Sequence, residues 1–278
     1  MNLYTIDTGF FKLDGGAMFG VVPKTIWNKI NAADENNLCD WAMRCLLVEE
    51  GNRLALIDCG LGNKQSEKFF SYYQPFGPDS LEKSLHKIGF SPEDITDVFL
   101  THLHFDHCGG AVKTDKNGKY ITAFPNATYY SHAKHWDWAT NPNSREKASF
   151  LTENMLPIKE SGQLKLLDDD DEIFPGFNYI TVYGHTAAMM LPKISYKEKT
   201  IIYCADLIPS AGHLPVSYVM AYDVRPLQSL SEKESFMKEA VVNDWLLFFE
   251  HDKRIEACSL IQTDRGVRMK EEIKIEEL

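Results

Sequence analysis

His102, His104, Asp106 and His107 fall within six positions of the stretch Thr101-His102-Leu103-His104-Phe105-Asp106-His107-Cys108-Gly109-Gly110. Imidazoles and carboxylates are poor core material unless a partner satisfies them. A metal ion would satisfy all four. So short a stretch does not close comfortably around one tetrahedral ion, so the spacing predicts two ions. His102 and His104 would serve one, and Asp106 and His107 the other.

The elements that must position these groups can be read around them. Residues 98–100 are the end of a buried strand and the Gly109-Gly110 pair is a turn, which puts the histidines on a loop at a strand's carboxyl end. Residues 3–13 alternate as an opening strand. Residues 44–58 read as two strands joined at Gly51-Asn52, the second delivering Asp58. Asp79-Ser80-Leu81-Glu82 reads as an N-cap with a capping-box partner, opening a helix whose apolar face is Leu81, Leu85 and Ile88, stopped by Gly89. Residues 127–131 form a strand, followed by a helix carrying His132 and His135. Lacking a neighbouring acid or third ligand, that pair is expected to be structural or on the surface. The acidic run at 168–172 lacks the spacing and glycine of a calcium loop and reads as a solvated turn. Beyond it come a strand at 177–182, a hairpin at 191–204, and a long irregular stretch at 207–228. A helix from 231 to about 243, an apolar strand at 245–249 and a charged edge strand from Arg265 onward complete the chain. Hairpins alternating with helices give an α/β layered domain.

The His-X-His-X-Asp-His stretch resembles the signature of the metallo-β-lactamase-fold hydrolases. Four further elements follow that family's pattern and order. Leu56-Ile57-Asp58-Cys59-Gly60 matches its Asp-X-Gly strand end, and Tyr183-Gly184-His185-Thr186 its later histidine. Tyr203-Cys204-Ala205-Asp206 supplies the aspartate ending another strand, and Phe248-Phe249-Glu250-His251-Asp252 the last histidine. The resemblance implies a four-layer αββα sandwich with its site at one edge, within one domain spanning residues 1–278. It implies one ion held by His102, His104 and His185 and a second held by Asp106, His107 and His251. Asp206 would bridge them, and Asp58 would hydrogen-bond a ligand from behind. A hydroxide between the ions would be the nucleophile, with Asp106 or Asp206 supplying the leaving group's proton. Such ligands suit zinc and accommodate iron or manganese. Redox relatives with two irons usually carry glutamate where His104 stands, which speaks against electron transfer.

Composition narrows the partners. A net charge of −11 argues against a broad phosphate-binding surface, so nucleic acid is not expected. The six cysteines show no C-x-x-C pairing and read as buried small hydrophobes in a reducing compartment. The opening residues have neither the basic start nor the apolar run of a signal peptide, and no segment is long enough to span a membrane. The expectation is a cytoplasmic protein acting on a small molecule, with a homodimer admitted.

For the substrate, Asp206 stands where β-lactamases usually carry cysteine. The branches retaining aspartate include N-acyl-homoserine lactonases, glyoxalase II thioesterases, phosphotriesterases and nucleases of the ribonuclease Z type. The acidic surface speaks against nucleases, and the acidic tail shows nothing like the glutathione-gripping region of glyoxalase II. Lactonases resemble the chain in length and motif order. Their usual tyrosine three residues past the bridging aspartate is replaced by Pro209, with Tyr222 as a substitute. The loop at 15–23 and Trp27 read either as a lip over an apolar substrate or as a packed edge. Met18, Phe19, Trp27, His213 and Tyr222 are therefore the candidate substrate-lining residues. The expected activity is hydrolysis of a lactone, ester or phosphotriester with apolar groups. Glyoxalase II-like thioester hydrolysis and a non-catalytic metal-binding role are the alternatives.

Overall fold

Leu54-Ala55-Leu56-Ile57 and Val98-Phe99 are apolar at every position, as strands covered on both faces must be. The computed structural model places them at the centre of a six-stranded mixed sheet. It describes residues 1–169 and 171–278; Asp170, within the acidic run read as a turn, lies outside the described residues.

The chain begins with β1 (Asn2–Asp14), α1 (Gly15–Phe19) and α2 (Lys24–Trp27). Next come β2 (Leu38–Glu50), β3 (Arg53–Ile57), α3 (Glu67–Tyr73), α4 (Leu81–Lys87) and β4 (Asp97–Phe99). The motif forms α5 (Phe105–Cys108), and a small hairpin of β5 (Val112–Thr114) and β6 (Tyr120–Thr122) follows. After β7 (Thr128–His132) lie α6 (Ala133–Thr140), α7 (Thr152–Glu160) and β8 (Leu164–Leu167). The remainder holds β9 (Phe177–Val182), β10 (Met189–Tyr196), β11 (Lys199–Tyr203), α8 (Pro226–Val242), β12 (Leu246–Phe248), β13 (Ala257–Thr263) and β14 (Gly266–Ile273).

These elements pack as two compact units of interleaved segments. Unit 1 takes residues 1–9, 43–72 and 76–171; unit 2 takes 10–42, 73–75 and 172–278. Both β1 and β2 pass from one unit to the other part-way along their length.

In unit 1 the sheet order is β1-β2-β3-β4-β7-β8. Strands β3, β4, β7 and β8 are parallel, with Ile57 opposite Phe99 and Phe99 opposite Tyr130. Parallel neighbours end at one edge, so the residues following β3, β4 and β7 emerge side by side. The core beneath includes Leu47, Leu56, Leu85, Val98, Leu100, Tyr129 and Ile158, all fully buried. Each such aliphatic side chain contributes roughly 1.5–3 kcal/mol relative to exposure.

Unit 2 carries the sheet β14-β13-β12-β11-β10-β9. Strand β10 is antiparallel to both β9 and β11, and β11 is parallel to β12. Strands β9, β11 and β12 therefore run in the same direction. Their carboxyl ends lead to His185, Asp206 and His251. β14 is the edge strand expected of the tail. The mixed α/β class that the sequence implies is the one found.

Three local expectations change. The loop expected at 15–23 contains the short helix α1, because the Asp14 carboxylate caps it by accepting from the Ala17 N–H (2.8 Å). Asp106 and His107 sit on the helical turn α5 rather than on open loop. Helix α8 begins at Pro226, five residues before the expected start, since proline suits a first helical turn.

Candidate metal centre

Asp58 follows β3 and Thr101-His102 follow β4, so the parallel pairing sets them together. The Asp58 carboxylate accepts from Thr101 N–H (2.8 Å) and Thr101 Oγ1 (2.7 Å), and its Oδ2 lies 3.0 Å from His107 Nδ1. Asp58 has a positive φ of 57°, a region aspartate tolerates better than most residues. The next turn presses on the motif from behind: a Cβ at Gly109 would lie 2.1 Å from Leu61 O, and one at Gly110 2.2 Å from Cys59 O. Only glycine admits that approach.

Within unit 1, His102 Nδ1 lies 3.1 Å from Thr101 Oγ1, while His102 Nε2 lies 3.0 Å from His104 Nδ1. The His102 and His107 rings are 3.9 Å apart between centroids, and His107 Nε2 lies 3.9 Å from Asp106 Oδ2. The other nitrogen of His104 faces Glu146 Oε1 at 3.6 Å. Glu146 is itself buried and accepts from Trp138 Nε1 and Asn143 Nδ2.

Unit 2 repeats the pattern with residues far apart in sequence. Asp206 directs Oδ2 at His185 Nε2 (3.0 Å) and Oδ1 at His251 Nε2 (3.3 Å). The remaining nitrogens are held from behind, His185 Nδ1 by Asp223 Oδ1 (2.8 Å) and His251 Nδ1 by the Ala42 carbonyl (2.7 Å). Such contacts fix which ring nitrogen faces a cation. His185 is placed by α8: Glu232 accepts from the N–H groups of Tyr183 and Gly184, and Arg225 N–H donates to Gly184 O.

The electrostatics suit a cation. Burial disfavours charge on His185, yet Asp206 and Asp223 outweigh it and raise the imidazole to about 10. A ring held so strongly as imidazolium sits where positive charge is stabilised, a role a divalent ion would take over. In chemistry the donors of each unit suit a divalent metal: His102, His104, Asp106, His107 and Asp58 in unit 1, and His185, Asp206, His251 and Glu250 in unit 2. Burial pushes the Cys108 thiol up to about 12 and that of Cys204 well above its ordinary value. Both stay protonated, against a thiolate ligand. All six cysteines are buried thiols.

The family model for the metallo-β-lactamase superfamily matches residues 44–251. The chain belongs to that superfamily, the group of metal-dependent hydrolases its motifs resemble. Among solved structures, this metallo-β-lactamase-fold chain is similar to a probable metal-dependent hydrolase from Staphylococcus aureus, with 29% identity, a TM-score of 0.87 and 98% of each chain covered. It is also similar to AidC, a dizinc quorum-quenching lactonase solved with a product, at 25% identity and a TM-score of 0.80, over 98% of this chain and 94% of that one. By sequence it is 26% identical to an N-acyl homoserine lactonase of Bacillus cereus, over 78% of this chain and 83% of the relative. The match to an N-acyl homoserine lactonase of a Bacillus species, 27% identical, covers 54% of this chain and about half, 56%, of that protein.

The candidate substrate residues are placed less uniformly. Met18, Phe19, Trp27 and His213 are interior, at 1% exposure or less. Phe19 stacks on both Trp27 and His213. His213 accepts from Ser210 Oγ at Nδ1 (2.7 Å) and donates from Nε2 to Met18 O (2.9 Å). Burial and nearby Lys233 lower its pKa to about 3, so it stays neutral. The packed-edge alternative describes these four better than an exposed lip. Tyr222, 38% exposed, is the accessible one of the five.

His132 and His135 are braces. His132 Nε2 lies 3.0 Å from Asp169 Oδ1, and its Nδ1 accepts from Lys134 N–H. His135 Nε2 accepts from Leu103 N–H (2.8 Å), inside the motif. Sequence reasoning missed Asp223 and Glu146. Asp223 stands next to Tyr222 in a stretch already marked as irregular, and nothing in its spacing sets it apart from other loop acids.

Proposed function

We propose that the protein is a dinuclear metal-dependent hydrolase acting on a lactone or related ester with apolar groups, with residues 1–278 as one functional domain. The observation that carries the reading is the Asp206 carboxylate, with one oxygen toward His185 and the other toward His251, each histidine anchored on its far side. That is the geometry required of a bridging ligand. In this reading His102, His104 and His185 would hold one ion and Asp106, His107 and His251 the other, with Asp206 shared between the two sets. Zinc is the favoured metal, in line with the dizinc relative.

Two divalent ions held by these residues would supply Lewis-acid polarisation and a water acidified to near neutral pH. The chain's own groups do the rest. Asp58 and Asp223 lock His107 and His185 in one tautomer, so their Nε2 atoms face inward. Asp106 or Asp206, each with a small accessible fraction, carries the proton to the leaving oxygen. Tyr222 adjoins Asp223 in the chain and is the residue proposed to touch the substrate. The lactonase relatives support a lactone as substrate. No helix among the described residues is long and apolar enough to cross a membrane, and a cytoplasmic site of action is proposed with the rest.

Elemental analysis and a substrate panel test this together. Protein loaded with zinc should hold two equivalents and hydrolyse N-acyl homoserine lactones, aryl esters or phosphotriesters. Two bound ions with no turnover in any metal form would leave a metal-binding protein without catalysis. Glutathione thioesters cleaved in preference to lactones would move the assignment to a thioesterase.

A further inference from the structure

Unit 2 contains a cavity of about 410 Å³ on the flank of His251, within the size range of small-molecule sites. Its walls combine two kinds of surface. Trp41, Leu214 and Met269 give it an apolar body, while Lys253, Arg254 and Arg268 place three cations around it. In a chain of net charge −11 that is a local reversal of sign.

The one acid in the lining, Asp252, is consumed by the backbone: it accepts from the N–H groups of Ala211, Arg254 and Ile255. Lys253 is neutralised by Asp40, at 2.5 Å. The two arginines are not. Arg268 Nη1 rests on the Val267 carbonyl, and among the described residues no carboxylate pairs with either guanidinium. A further donor stands in the wall. The Trp41 indole N–H is buried and meets no hydrogen-bond acceptor among the described residues. Guanidinium groups offer forked donors matched to a carboxylate's two oxygens, and the apolar walls reward a hydrocarbon body.

We propose that this cavity is a binding site for a small organic carboxylate with an apolar body, its charge held by Arg254 and Arg268. Asp206 is not among the residues lining this cavity, and the proposal rests on no assumption about turnover.

Isothermal titration of the metal-loaded protein tests it, with hexanoate as the probe and hexan-1-ol and acetate as controls for body and charge. Hexanoate should saturate at one equivalent per chain, with both controls at least about tenfold weaker. The double variant Arg254→Gln/Arg268→Gln should weaken hexanoate about tenfold or more while leaving hexan-1-ol unchanged. Asp206→Ala should bind hexanoate as the parent does. Three results would each overturn the proposal: no saturation by hexanoate, hexan-1-ol binding as tightly as hexanoate, or hexanoate binding that survives the arginine replacements and disappears with Asp206→Ala. The last would place the carboxylate at the metal centre instead. Circular dichroism of each variant checks that the fold is intact.

Discussion

His102, His104 and His107 on one side and His132 and His135 on the other are all buried in unit 1, yet their ring nitrogens go to different places. In the first group Nδ1 of His102 and His107 is held by Thr101 or Asp58, and the remaining nitrogens face other histidines, Asp106 or, for His104 Nε2, Glu146. In the second group the ring nitrogens meet a backbone N–H or an exposed aspartate. Burial alone does not mark a ligand. What marks it is a ring with one nitrogen anchored and the other turned toward further donors.

Replacements on the two sides of this comparison should differ in size. Asp206→Ala removes the carboxylate shared by His185 and His251, so hydrolysis should fall by at least about 10²–10³-fold and metal content should drop below two equivalents. Full activity in that variant would end the proposed mechanism. Asp223→Asn keeps the shape but weakens the anchor behind His185, and metal affinity or activity should fall about 10–100-fold in a chelator competition. His135→Leu belongs to the bracing side. It leaves the Leu103 N–H without its acceptor and should cost about 1–3 kcal/mol in denaturant unfolding while two metal equivalents are retained. Loss of metal there would erase the distinction drawn above.

The smallest effect concerns Lys233, which is buried and donates to the carbonyls of Pro215 and Tyr218. Burial lowers its pKa from 10.5 to about 7. Between those values the unfolded chain holds a proton that the folded chain has released, so this residue makes stability rise with pH across that window. Melting temperatures at pH 7 and pH 9 should rise less in Lys233→Met than in the parent.

The donors of unit 1 were legible in the sequence because they are local: a strand end, six residues and two glycines. Strands at 177–182 and at 200–204 were equally readable, since their apolar runs are bounded by turns. Membership of His185, Asp206 and His251 in one cluster was not readable from spacing. It follows from β9, β11 and β12 running in the same direction, and only the family's order of motifs pointed to it. Asp223 and Glu146 left no trace, because an acid that anchors a histidine looks in sequence like any solvated loop acid. The aromatic loop was ambiguous for a related reason: apolar residues beside glycines suit a substrate lip and an interior stack alike, and the stacking of Phe19 with Trp27 and with His213 is a tertiary outcome.

The interleaving of segments sets an order on synthesis. Everything unit 1 requires has been translated by residue 171, whereas residues 10–42, made early, belong with strands made after residue 172. Domains tend to condense as units while the chain emerges. The early segment with its aromatic residues must therefore stay unburied on the ribosome until β9 to β14 arrive, and that interval is when a chaperone has most to cover.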